Sequence, residues 1–175
     1  GICGNEASWA GGGIVSPLYP WRYSTAVTAL AKWSQAYYPN LVQSLEADTD
    51  IDPELTRHGL LMLSVDDKSD ALAWAQTNTA WLDEVDSECI YKLEPQLRPG
   101  LKDALWMPNV ASVRNPRLLK SLRAYLDRHP NVTIIEGCQV SELKYSGSSV
   151  SGIETSSHGT LVADSYVVCT GAWSE

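Results

Sequence analysis

Three consecutive glycines, Gly11-Gly12-Gly13, stand between Glu6-Ala7-Ser8-Trp9-Ala10 and Ile14-Val15-Ser16-Pro17, and no other stretch constrains the chain as much. Backbone without Cβ atoms is disfavoured inside helix or strand, but a ligand can approach it closely, with amides free to face an anion. Ala7, Ser8 and Ala10 are small and keep that approach open on one side. Two readings stand at this point, a glycine-rich turn and a ligand cradle. Pro17 and Pro20 then hold Ser16 to Arg22 in an extended, φ-restricted path.

A chain of 175 residues, 44% of them hydrophobic, can bury a core, which excludes a disordered polypeptide. Its 21 acidic and 13 basic residues give a formal charge of −8, and the basic residues form no run. Phosphate backbones and anionic bilayers are repelled by such a balance, so neither nucleic acid nor membrane is an expected partner. No apolar run approaches the roughly 20 residues that span a bilayer, and the opening is not a charged-then-apolar leader. The expected location is cytoplasmic. Cys3, Cys89, Cys138 and Cys169 lack metal or disulfide spacing and read as buried reduced thiols. His58, His129 and His158 are too scattered to announce a metal site.

Helix is expected from Ser24, an N-cap, to Pro39, followed by a second helix over Leu41 to Ala47. Trp33, Tyr37 and Tyr38 fall at helical spacing and belong either to the core or to a pocket wall. Gly59 to Val65 reads as a buried strand, and Asp66 or Asp67 as the cap of a helix carrying Ala71, Leu72, Trp74 and Ala75. Glu94 is expected to cap a local turn. Ala104 to Met107 and Val110 to Val113 read as strands parted by Pro108-Asn109. Asn115-Pro116 reads as an N-cap followed by proline at the first position of a helix that ends near His129-Pro130. Val132 to Ile135 is expected to be a strand of a parallel sheet, making a crossover unit with that helix. Gln139 to Tyr145, Val150 to Thr155 and Gly159 to Val162 predict an antiparallel meander, with Gly147 to Gly152 as a hairpin turn. Ser165 to Cys169 predicts a last buried strand.

The stretch Glu6 to Ile14, taken with Val168-Cys169-Thr170-Gly171-Ala172-Trp173-Ser174, resembles the FAD-dependent D-amino acid oxidase superfamily. Within it the chain is most similar to the bacterial glycine oxidases of thiamine biosynthesis. Ser16 to Tyr23, Leu93-Glu94-Pro95-Gln96-Leu97 and Val113 to Leu119 carry the resemblance through the middle. The combination is specific; no single motif would suffice.

The resemblance implies an α/β fold: a partial FAD-binding Rossmann-like domain interleaved with part of an α+β substrate domain. Residues 1–58 and 114–175 would belong to the FAD domain and 59–113 to the substrate domain. It implies FAD as cofactor, held by Ser8, Ala10, Gly11, Gly12, Gly13, Ile14, Val140, Thr170 and Gly171, with no metal. For Val140 and Thr170, a core valine and a strand-end threonine are the alternative. A branched side chain at Gly12 or Gly13 is expected to harm flavin binding more than folding. The implied reaction oxidises glycine, sarcosine or a small D-amino acid to an imine with molecular oxygen as acceptor, yielding hydrogen peroxide. A homo-oligomer remains open, as do two rivals, a dehydrogenase that passes electrons to a quinone and a non-catalytic fragment. The family's Gly-x-Gly-x-x-Gly turn and its substrate-binding arginine find no counterpart in the sequence, which is therefore expected to be a fragment. No catalytic residue is assigned. Arg22 and Arg114 are expected to form surface or interdomain pairs.

Overall fold

The computed structural model describes residues 2–171; Ala172-Trp173-Ser174 of the terminal motif lie outside them. The chain divides into two compact units, 6–132 and a second made of 1–5 with 133–175.

The larger unit begins with a one-turn helix, α1 (Ala7–Ala10), the glycine loop, and a 3-10 turn at Pro20–Arg22. Helix α2 (Thr25–Thr49) follows, opened by Ser24, whose hydroxyl accepts from the Val27 amide at 3.4 Å. The proline stop does not occur: Pro39 lies inside one continuous 25-residue helix. Proline removes one amide donor and crowds the preceding turn. Here the two flanking segments supply enough packing, through Tyr38 before the proline and Leu41 and Leu45 after it, to hold the helix together across it. Asp50, left-handed at φ 58°, ends it.

A three-stranded antiparallel sheet, order β2 (Leu60–Leu63), β4 (Asp103–Met107), β3 (Asp83–Asp86), forms the second layer. Leu61 faces Trp106 and Met62 faces Leu105 across one edge of β4, and Val85 faces Ala104 across the other. Helix α3 (Lys68–Asn78) packs Ala71 and Ala75 on this sheet, and Met62, Val65, Leu82, Leu105, Met107 and Val110 complete the core. Asp67 precedes α3 but does not cap it, because its carboxylate is engaged by Trp21 and Arg22. Helix α4 (Ser87–Leu93) is capped by Asp86, and Glu94 accepts from the Gln96 amide at 3.2 Å, the local turn its position predicts.

The short strands β1 (Thr56–Arg57) and β5 (Ala111–Ser112) pair, and Ile14 bridges to Ser112 from the other side. Helix α5 (Asn115–Asp127) packs on α2 around Leu45, Val113 and Leu118. Asn115 is the first residue of α5, after Arg114, and caps nothing; its amide is spent on a contact 104 residues away.

In the smaller unit β6 (Val140–Ser146), β7 (Ser149–Thr155) and β8 (Gly159–Leu161) form the predicted meander. Neither Val132 to Ile135 nor Ser165 to Cys169 is a strand, and all sheets among the described residues are antiparallel. Parallel strands exist only by pairing on their flanks, and no described segment pairs with these two. Val167 and Val168 are accordingly 84% and 60% exposed. The cysteines are free but not buried: Cys3 and Cys169 are exposed, Cys89 and Cys138 partly so. Trp33 and Tyr37 stack at 5.0 Å on the exposed face of α2, and only Tyr38 reaches a core. No helix among the described residues is long and apolar enough to cross a membrane.

Candidate functional site

The glycine loop is fixed at both ends. Gly11 N–H donates to the Ala7 carbonyl at 3.1 Å, closing α1, while the Gly11 carbonyl accepts from Asn115 Nδ2 at 2.9 Å. On the far side the Gly13 carbonyl accepts from the Val113 amide, and the Val15 amide donates to the Ala111 carbonyl, both at 2.8 Å. Between these anchors the N–H groups of Gly12 and Gly13 meet no acceptor among the described residues.

The neighbouring glycines differ in what they allow. Gly13 stands at φ +73°, and a side chain there would run into the Val113 carbonyl oxygen. At Gly12 the space that a side chain would occupy is empty to 4 Å. Gly13 is therefore required by the fold, whereas Gly12 borders open space. That space is a cleft, with Gly11 to Val15 on one wall and Tyr38, Val113 and Asn115 on the other. Ile14, 46% exposed, adds an apolar edge.

Of the residues singled out in the sequence, Gly11, Gly12, Gly13 and Ile14 line this cleft; Ser8 and Ala10 lie just before it in α1. Val140, the first residue of β6, Thr170 and Gly171 belong to the other unit. Sequence reasoning offered Tyr38 as a core or pocket-wall aromatic and missed the part Asn115 plays here. The Asn-Pro pair gave a local signal, capping, and nothing in it reports a bond to a loop 104 residues earlier.

Downstream, the segment Pro17 to Arg22 is clamped. Asp67 accepts from Trp21 Nε1 at 2.8 Å and from Arg22 Nε and Nη2 at 2.8 and 2.7 Å. The Arg22 guanidinium lies 4.3 Å from the centre of the Tyr19 ring. These bonds, Arg22 first and Trp21 second, hold the Asp67 carboxyl well below the usual carboxylate range. Arg114 pairs with Glu54 at 3.4 Å, and Arg22 with Asp67. Among the described residues no group of histidine, cysteine and carboxylate side chains is placed to hold a metal.

With this geometry in place, the comparisons give the class: residues 1–175 match the family "FAD dependent oxidoreductase", and the chain belongs to it. It is 52% identical over 174 residues to the glycine oxidase of Pseudomonas putida, covering 99% of this chain and 47% of that protein. It is 49% identical over 174 residues to the glycine oxidase of Pseudomonas aeruginosa, covering 99% of this chain and 48% of that protein. The crystal structure of glycine oxidase from Geobacillus kaustophilus superposes with a TM-score of 0.82 at 27% identity, over 99% of this chain and 47% of that one. The chain spans about half the length of the curated relatives it matches.

Proposed function

We propose that this chain is the part of a glycine oxidase-like flavoenzyme that presents the glycine loop to FAD. The observation that carries the reading is the pair of unspent amides at Gly12 and Gly13 beside open space. A flavin edge or a pyrophosphate needs backbone donors that no side chain screens, and this loop offers them without rearrangement. The residues present thus fit the cofactor of the family. Ser8 and Ala10 keep the approach shallow, Gly11 to Gly13 supply backbone, and Ile14 supplies an apolar edge. Val140, Thr170 and Gly171 are proposed to complete the dinucleotide contacts. By the same reading residues 1–58 and 114–175 serve the cofactor, and 59–113 face the substrate.

FAD held there would supply the acceptor for the hydride of the substrate's α-carbon, a chemistry that is the cofactor's own. What these residues contribute is position. Asn115 and the Val113 amide fix the two ends of the loop, so the free amides are oriented before any ligand arrives. Asp67 holds the Pro17 to Arg22 segment in one arrangement and leaves its apolar residues available as a wall. The proposed substrates are glycine, sarcosine and small D-amino acids, with molecular oxygen as acceptor and hydrogen peroxide as co-product. A wall of this kind discriminates gradually, by about 1–3 kcal/mol per methylene.

The test places this sequence in a polypeptide of its relatives' full length. Flavin absorbance, peroxide release with glycine, sarcosine and D-alanine, and slower turnover of D-aspartate and D-lysine are the expected results. A colourless, flavin-free preparation that cannot be reconstituted would overturn the reading. Flavin reduction by glycine without peroxide would instead establish the dehydrogenase.

A further inference from the structure

Three of the four cysteines, Cys3, Cys138 and Cys169, belong to the smaller unit, and the fold sets one of them in a distinct environment. Cys138 stands just before β6, opposite the turn that joins β7 to β8. The register pairs Val140 with Thr155. Next to that pair Gln139 and Ser156 exchange two bonds, the Ser156 amide to the Gln139 carbonyl at 2.9 Å and the Gln139 amide to the Ser156 hydroxyl at 3.0 Å. One step further along the same ladder, Cys138 comes against Ser157 and His158. Those two side chains meet at 2.9 Å, Ser157 Oγ to His158 Nδ1, and the His158 amide donates to Thr155 Oγ1 at 3.1 Å. The turn that faces the sulfur is therefore held in place by bonds of its own. Ser157 first, then His158 and Thr155, draw the thiol down to about 7, so a large share of it is thiolate at neutral pH. Cys138 is partly exposed, and where a side chain on its neighbour Gly137 would stand there is open space. A small oxidant can reach the sulfur from that side.

A second thiol is brought to the same place. Cys3 lies in the turn Ile2 to Asn5, which one backbone bond closes, Asn5 N–H to the Ile2 carbonyl at 3.4 Å, with Gly4 at φ +80°. The Cys3 amide donates to Glu136 Oε1 at 2.8 Å, across 133 positions of sequence. One glutamate side chain thus spans the gap between Cys3 and the backbone two residues before Cys138. Cys3 is exposed.

We infer that Cys138 is a site of oxidation by hydrogen peroxide and that Cys3 resolves the product into a Cys3–Cys138 disulfide. Accessible thiolates beside a second cysteine are where this chemistry occurs. In the first step the Cys138 thiolate attacks one peroxide oxygen; the S–O bond forms, the O–O bond breaks, and the departing hydroxide takes up a proton and leaves as water. Sulfur loses two electrons and peroxide gains them. In the second step the Cys3 thiolate attacks the Cys138 sulfur; the S–S bond forms, the S–O bond breaks, and a second water leaves. Two thiols and one peroxide give one disulfide and two waters. A disulfide needs Cα atoms within about 7 Å, and the Cys3 turn, closed by a single long bond and hinged at Gly4, is the part that moves to meet Cys138. Only the origin of the peroxide rests on the oxidase reading; the thiol chemistry needs no flavin.

The experiment uses a polypeptide of the relatives' length that carries this sequence, reduced, with no amine substrate, and treated with a small excess of added hydrogen peroxide. It therefore succeeds or fails whether or not the enzyme itself makes peroxide. Free thiols are blocked at intervals and peptides mapped by mass spectrometry without reduction. Cys138 is expected to be oxidised about three- to tenfold faster than Cys89, and the linked Cys3–Cys138 peptide to accumulate and to vanish on reduction. Cys3→Ser is expected to leave Cys138 as a sulfenic acid that dimedone traps, and Cys138→Ser to leave Cys3 reduced. Ser157→Ala is expected to slow the oxidation of Cys138 several-fold at pH 7. Oxidation of Cys138 no faster than of Cys89, a link from Cys138 to Cys169 in place of Cys3, or a sulfenic acid that persists in the wild type without a disulfide would overturn the inference.

Discussion

At the residue scale the two central glycines give opposite predictions. Gly13→Ala must place a Cβ on the Val113 carbonyl and hold an L-residue at φ +73°. It is expected to cost about 2 kcal/mol or more, read as a shift in denaturation midpoint. Gly12→Ala meets nothing and has no such backbone demand; it is expected to stay within about 0.5 kcal/mol of wild type. This splits the sequence-based expectation, which grouped both positions as cofactor-facing. Only long-range contact with Val113 separates them, and no local pattern encodes it. Asp67 gives a pH prediction. Its folded pKa is depressed, so the stability it lends is present above the unfolded carboxylate value of about 3.9 and is lost as pH falls through the folded value. The stability gap between wild type and Asp67→Asn should be flat from pH 7 to about 5 and close below about 4. Chemical denaturation across that range checks it; a gap that widens in acid would contradict the ion pair.

At the element scale β4 is the centre of the sheet, and Leu105 on it is fully buried. Leu105→Ala is expected to cost about 2–5 kcal/mol in a denaturant melt. In the smaller unit the Cys138 thiol is pulled down to about 7, first by the Ser157 hydroxyl, then by His158 and Thr155. Thiolate is the reactive form, so iodoacetamide should label Cys138 with a rate midpoint near that value, rather than near 8.5 as for a free cysteine. Ser157→Ala should move the midpoint upward; an unchanged profile would remove that cause. Elements with their own local signal were legible: the Ser24 cap, the strand after Gly59, the meander with its Ser/Gly turns. Elements whose state depends on a distant partner were not. Pro39 sits within a helix held by tertiary packing, and the two Val-rich segments, Val132 to Ile135 and Ser165 to Cys169, are strands only where a neighbour pairs with them.

At the scale of the whole molecule, the family was legible because glycine loop, proline segment and terminal motif occur together in one order, and the match over residues 1–175 bears that out. The cleft itself was half legible. Its glycine wall is a sequence motif, whereas Tyr38, Val113 and Asn115 come from elements that fold against it. The central claim is that the Gly12 edge of this cleft receives the flavin. The most direct measurement is the FAD dissociation constant, by flavin fluorescence, of Gly12→Val against wild type, in a polypeptide of the relatives' length that carries this sequence. Thermal melting of both apo forms accompanies it. The account predicts an affinity loss of about tenfold or more with apo melting unchanged within about 2 °C, because a branched side chain fills the space and screens the free amides. Wild-type flavin affinity in a variant that melts at a lower temperature would contradict it and make the glycine loop a turn of the fold alone.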